Sequence, residues 1–263
     1  MKKILNILAI ALLVFFTSCE QETIEDLAEN PKRLTTLSVE NPKNELDEVG
    51  KKHNEALAFI LEKKDSRYPS KKFDADELIE IVMEYQTGQR EALDEKTVKN
   101  MAQHYLEIVA GGNAITTASI DICKIAPPIC NPGTPPYNPA YPTFGMPVIT
   151  GDPLTNYKNA VNQVTDIKTY ETSVLGDATL DDEAKNSALS YAATYRHSTQ
   201  FWYNAGNLEE FQIEEDLAAS PCKSCEVIQA DAAGAGAGSL FGPWGSIIGG
   251  AIASAVAYDE IYN

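Results

Sequence analysis

The chain has 263 residues, with 21 Lys and Arg against 38 Asp and Glu for a formal net charge of −17. Such an excess of acid does not neutralise phosphates, so no nucleic-acid partner is expected. A hydrophobic content of 44% supports a buried core, and a charged content of 22% is ordinary, which excludes a wholly disordered chain.

Lys2 and Lys3 precede an apolar run from Ile4 to Phe16, interrupted only by Asn6. This is the charged start and apolar stretch of a secretory signal, shorter than the ~20 residues of a membrane span. The run ends in Phe16-Thr17-Ser18-Cys19. Small residues before a Cys at that place resemble the bacterial lipoprotein signal. The resemblance implies a signal peptide over 1–18 and lipidation of Cys19, which would hold an exported protein to the outer membrane through its N-terminal lipid. Loss of residues 1–18 removes two Lys and no acid, leaving 19 bases against 38 acids and a net −19. Glu20, Gln21, Glu22, Glu25 and Asp26 follow. An acidic start of this kind resembles the surface-export signal of Bacteroidetes lipoproteins, and implies exposure at the cell surface.

Residues 19–44 read as a flexible acidic tether, polar and without a sustained period. An N-terminal helical half follows over 45–122. Leu46, Val49, His53, Leu57, Ile60 and Leu61 recur at steps of three and four, predicting a helix to about Lys64 with Asn44 as its N-cap. Asp74 caps a second helix with Leu78, Ile79, Val82, Met83 and Tyr85 on its apolar side, ended by Gly88. A third runs from about Asp94 to Val109, with Gly111-Gly112 as its stop.

Residues 123–155 form a Pro-rich connection, with nine of the 14 prolines between Pro127 and Pro153. Proline removes donors and fixes φ, so an extended surface segment is expected there. Helices resume over 156–220, at Asn156–Leu175 and Asp181–Tyr203. Thr179 with Asp182 reads as a capping box for the second. Ala184, Ala188, Tyr191, Ala192, Tyr195 and Trp202 share one stripe of it. The fold class is therefore mainly α: a bundle of six or seven helices, in two halves joined by the Pro-rich segment.

The last region, 221–263, joins a C-x-x-C to a Gly-rich apolar tail. Ala232 to Tyr258 carries no charge. Gly234, Gly238 and Gly242 are four apart, as are Gly245 and Gly249, and Gly250 stands four beyond Ser246. Small residues at that spacing let two helix backbones approach closely. Gly242-Pro243-Trp244-Gly245 reads as a turn, leaving arms too short to span a bilayer alone. Three readings stay open. The tail is a Gly-faced helical hairpin packed within the protein or against a second copy, a Pro-interrupted transmembrane helix, or a membrane-active hairpin like those of small pore-forming bacteriocins.

Four cysteines remain after Cys19: Cys123, Cys130, Cys222 and Cys225. An even number in an exported chain predicts structural disulfides, with three connectivities open. Cys222-Lys223-Ser224-Cys225 also admits thiol–disulfide exchange, although the aromatic that usually precedes such a site is replaced by Pro221. The Cys spacing is unlike that of zinc sites. His53, His104 and His197 form no two-His motif, and no nucleophile elbow, phosphate loop or calcium loop is present. No catalytic set, metal site or cofactor is expected, and His53-Asn54 reads as a buried polar pair that fixes helix register.

Three separated pieces share a resemblance. These are Asn41-Pro42 with Val49-Gly50, His53-Asn54 and Leu57; Ser187 to Tyr203 with Ser198 and Phe201-Trp202; and the tail from Asp231. Together they resemble uncharacterised exported Bacteroidetes lipoproteins with a glycine-zipper-like C-terminal segment. The resemblance implies lineage and helical architecture rather than a chemistry. The expected activity is that of a lipid-anchored, non-enzymatic interaction or structural protein of the cell envelope.

Overall fold

The structure is a computed structural model that describes residues 38–69, 71–127, 153–204 and 223–262. The tether up to residue 37, Cys19, Cys130, Cys222 and the aromatics of the Pro-rich segment lie outside the described residues. Seven long helices and one short one make up the described chain, with no strand among those residues: α1 Asp47–Arg67, α2 Ala75–Gln86, α3 Glu95–Ala110, α4 Ile122–Ile125, α5 Pro153–Gly176, α6 Asp182–Asn204, α7 Lys223–Gly238 and α8 Gly242–Tyr262.

Local chemistry sets most of the boundaries. Asp74 and Glu77 form a reciprocal capping box at the start of α2, and Asp94 accepts from the Thr97 N–H at the start of α3. After α3, Gly112 takes φ 71°, and the Asn113 and Gly112 N–H groups return to the Ile108 and Val109 carbonyls. That is a Schellman stop, which needs a residue free of the left-handed penalty. Two expected caps move. Asp181, not Thr179, caps α6 by accepting from the Ala184 N–H, while Thr179 turns back onto Asp177. Asn44 does not cap α1: its Oδ1 accepts from the Leu46 N–H in a turn before the helix, freeing its amide for a long-range partner.

The apolar stripes of α1, α2 and α3 meet in one core. Leu57, Ile60, Leu78, Ile81, Val98, Met101 and Tyr105 are fully buried there. Each such aliphatic side chain contributes about 1.5–3 kcal/mol when removed from water. α6 departs from the single expected stripe, since Ser187 through Thr199 are buried on every side. It lies between α1, α5 and α7, and its Ala, Ser and Thr residues are small enough to allow this.

α7 and α8 fold back on each other as an antiparallel hairpin at the centre. α8 also packs on α1 and α3, so helices from both sides of the Pro-rich segment share one core within a single unit, Leu37–Asn263. The hairpin turn is Ser239–Phe241 followed by Gly242 at φ 76°, slightly earlier than expected. Pro243 then stands in the first turn of α8, where a missing N–H costs nothing. Gly238 lies against the Gly245 backbone and Gly234 against Gly249, whose own missing Cβ would meet the Gly234 carbonyl at 2.6 Å. Gly242 instead serves the turn and touches nothing. The stretch Cys225–Tyr262 is apolar enough to cross a membrane by composition, with a mean hydropathy of 1.4 over its best window. However, 78% of that window is buried within the protein.

Candidate functional site

The most heavily interconnected side chains lie inside the bundle, along a polar seam beside α6. Ser38 to Leu46 form a strap before α1, laid across α5 and α6. Val39 buries its side chain against Ala160 and Val164, and the Lys168 ammonium donates to the Ser38 carbonyl at 2.8 Å. Beneath the strap, Glu171 and Arg196 are both 0% exposed and pair at 2.7 Å. The Glu171 carboxylate also accepts from the amides of Asn41 and Asn44, each at 2.6 Å. Arg196 donates further to Asp47 at 2.6 Å and to the Val39 carbonyl. His197 reaches the same Asp47 oxygen at 3.3 Å. Burial alone pushes the Asp47 carboxyl up, but hydrogen bonds from His197 and Arg196 outweigh it and hold the group at about 2.

One turn further along α1, Gly50 allows close contact with α6. A Cβ there would meet the Ala193 carbonyl at 2.5 Å and the His197 ring at 2.7 Å. His53 follows, fully buried, with Nδ1 3.0 Å from the Asn54 Oδ1. The Asn54 amide donates to the His197 carbonyl at 2.9 Å, tying α1 to α6. His53 is buried and Asn54 half-buried, and the pair links α1 to α6.

Beyond His53 sits Asp231 of α7, also fully buried. Its Oδ2 accepts from the Ser198 hydroxyl and from the Trp202 indole N–H at 3.2 Å. Burial raises the Asp231 carboxyl above its ordinary range, against the pull of His53, Ser198, Ser254 and Trp202. Ser198 donates its hydroxyl to this carboxyl group in a closed interior. A second buried pair closes the far end of the hairpin. Lys64 of α1 meets Asp259 of α8 at 2.9 Å, and Asp259 also accepts from the Phe73 N–H at 2.6 Å. At the other end of the bundle, the Trp244 indole donates to Gln86, which also takes the Leu93 N–H.

His104 accepts the Asp121 N–H on its Nε2 at 2.8 Å and so holds the turn into α4. Cys123 and Cys225 are each disulfide-bonded. Val49, Leu57 and Trp202 are core residues, and Phe201 packs at the margin. Among the described residues, no group of three or more His, Cys, Asp and Glu could hold a metal ion. One depression of about 220 Å³ lies between Val109, Ile115, Glu226 and Glu260, and none of the buried polar residues lines it.

The structure brings together the three segments that carried the resemblance. Asn41 to Asn54, Ser187 to Trp202 and the tail from Asp231 meet along the seam. Glu171, Asp47, Arg196, Lys64 and Asp231 are the members that sequence reasoning missed as partners. For two of them a signal existed. Arg196 is the lone charge between Lys185 and Glu209, and Asp231 the lone charge between Glu226 and Asp259. An isolated charge within a helix buried all round needs a buried partner. No protein-family model matches the chain, and neither the curated proteins nor the solved structures give a match.

Proposed function

We propose that this chain is a lipid-anchored lipoprotein of the bacterial outer membrane, whose helical body acts through protein or envelope contacts rather than by catalysis. The observation that carries the reading is the fate of the Gly-rich hairpin. The most apolar segment after the signal region is enclosed by α1, α3 and α6, with its glycine edges occupied by each other. Attachment to the membrane then falls to the lipid on Cys19, and the acidic residues from Glu20 onward direct the protein to the surface. Self-association or membrane insertion through Gly234, Gly238, Gly245 and Gly249 would first have to break these internal contacts. The polar seam works as a scaffold that fixes how the strap, α6 and the hairpin fit together.

Metabolic labelling with palmitate tests the anchor. The wild-type chain is expected to take up label and to fractionate with the outer membrane, while Cys19→Ala loses the label and is released. Equal labelling of the two would overturn the proposal.

A further inference from the structure

We infer that His104 is an acid-sensitive clasp: a second proton on its imidazole breaks the hydrogen bond that fastens the turn before α4 to α3, and the chain entering the Pro-rich connection loosens there. This device lies outside the anchoring role above. Its geometry is fixed by the donor. A backbone N–H only donates, and that of Asp121 donates to His104 Nε2 at 2.8 Å. Nε2 therefore presents its lone pair, and the proton of the neutral ring stands on Nδ1, a tautomer assigned from the hydrogen-bond network. Nδ1 is buried with no hydrogen-bond partner. A second proton has one place to go on the ring, the Nε2 lone pair that the Asp121 N–H already occupies. Both nitrogens are then donors along one line, so their bond is lost. The turn depends on that bond from both sides. Asp121 Oδ1 accepts the Cys123 N–H as the N-cap of α4, and the Ser119 and Ile120 N–H groups return to the Thr116 carbonyl.

Among the described residues, the charged groups facing the ring are Lys124, Asp121 and Glu107. Lys124 and Glu107 pair with each other at 2.8 Å. The Asp121 carboxylate holds the Cys123 N–H, and it receives a proton from Nε2 only once its own backbone N–H has turned off that nitrogen, which is the opening itself. α2 and α8 also pack on α3, and their acids are engaged elsewhere: Glu77 with Lys71, Glu80 and Glu84 with Arg67, Asp259 with Lys64, and Glu260 with Lys72. Tyr105, its ring 6.1 Å from that of His104, stays neutral because burial raises its hydroxyl. Burial and then the Lys124 charge lower His104 below its ordinary 6.5 in the fastened form, with Asp121 and Glu107 opposing them. A base depressed in the fastened form and relaxed in the open one favours fastening in full above pH 6.5 and loses that preference as pH falls. Ile122 and Ile125 stay buried on the core, and the Asn100 amide still holds the Ile125 carbonyl at 3.2 Å, so the loosening is confined to the turn.

Hydrogen exchange of the full chain, resolved by amide and corrected for intrinsic rates, tests the clasp near pH 7.5 and near pH 5. The Asp121 amide is expected to lose about tenfold in protection at the lower pH, while those of α1 keep theirs. His104→Gln, whose side-chain oxygen accepts the same N–H and does not titrate, is expected to remove this difference. Unchanged Asp121 protection in the wild type, or the same loss in His104→Gln, would overturn the clasp. Should His104→Gln not fold, the wild-type imidazole nitrogen resonances decide. They are expected to show the proton on Nδ1 near pH 7.5 and to titrate together with the loss of Asp121 protection. A proton on Nε2 near pH 7.5, or a ring that titrates while the Asp121 amide stays protected, would overturn it equally.

Discussion

At Arg196 a guanidinium sits between two carboxylates and a backbone carbonyl, with no side-chain exposure. Taking two charges out of water costs several kcal/mol per ion, and their attraction offsets that only when the remaining lone pairs and protons are also satisfied. Here Glu171 has two amides besides Arg196, and Asp47 has His197. The pair is therefore demanding rather than simply stabilising, and removing one member is worse than removing both. Arg196→Met should lower unfolding stability by about 3–5 kcal/mol, because it leaves the Glu171 carboxylate buried without its cation. Adding Glu171→Gln, which keeps an acceptor for the two asparagines, should recover a large part of that loss. Urea unfolding of the single and double variants checks this, and a double variant as unstable as the sum of the singles would refute the coupling. The sequence marked Arg196 by its isolation, but nothing in it marked Glu171. Its neighbours on α5 include other charges, and its role depends on a strap 127 or more positions away.

Among the elements, the α7–α8 hairpin reverses the usual rule for glycine. A helical Gly→Ala change normally gains about 1 kcal/mol from propensity. At Gly238 the added methyl would enter the backbone of Gly245 on the opposite helix, and no flexible side chain is there to give way. Gly238→Ala should therefore destabilise the protein by about 1–3 kcal/mol, an overpacking cost that exceeds the propensity gain. Thermal unfolding followed by far-UV circular dichroism reads the sign directly; a raised Tm would mean that the helices can move apart. The four-residue glycine spacing made a close-packed hairpin legible, as the 3.6-residue period made α1, α2 and α3 legible. What covers the hairpin was not legible. An uncharged Gly-rich run reads the same whether lipid, a second copy or the chain's own helices lie against it. In the structure the chain supplies its own cover, with α1, α3 and α6 against the hairpin.

For the whole molecule, the Pro-rich segment is a connection within one folded unit rather than a boundary between two. The prolines say nothing of whether the helices on either side touch, and Pro153 itself opens α5. α1 and α3 bury Val49, Leu57, Ile60, Met101 and Tyr105 in a core completed by Ile248, Ala251 and Ile252 of α8. Two buried polar groups of the first half also meet acids of the last helices: Lys64 pairs with Asp259, and His53 faces Asp231. A chain limited to 45–122 would leave these apolar faces in water and Lys64 without its carboxylate. It should show helical far-UV signal at most, with no cooperative thermal transition and poor amide dispersion by NMR. Mixing it with a 156–263 chain should restore dispersion if the two together rebuild the core. A cooperative transition in the 45–122 chain alone would instead make the N-terminal helices an independent domain, and the buried Lys64–Asp259 pair an interface between domains rather than part of one core.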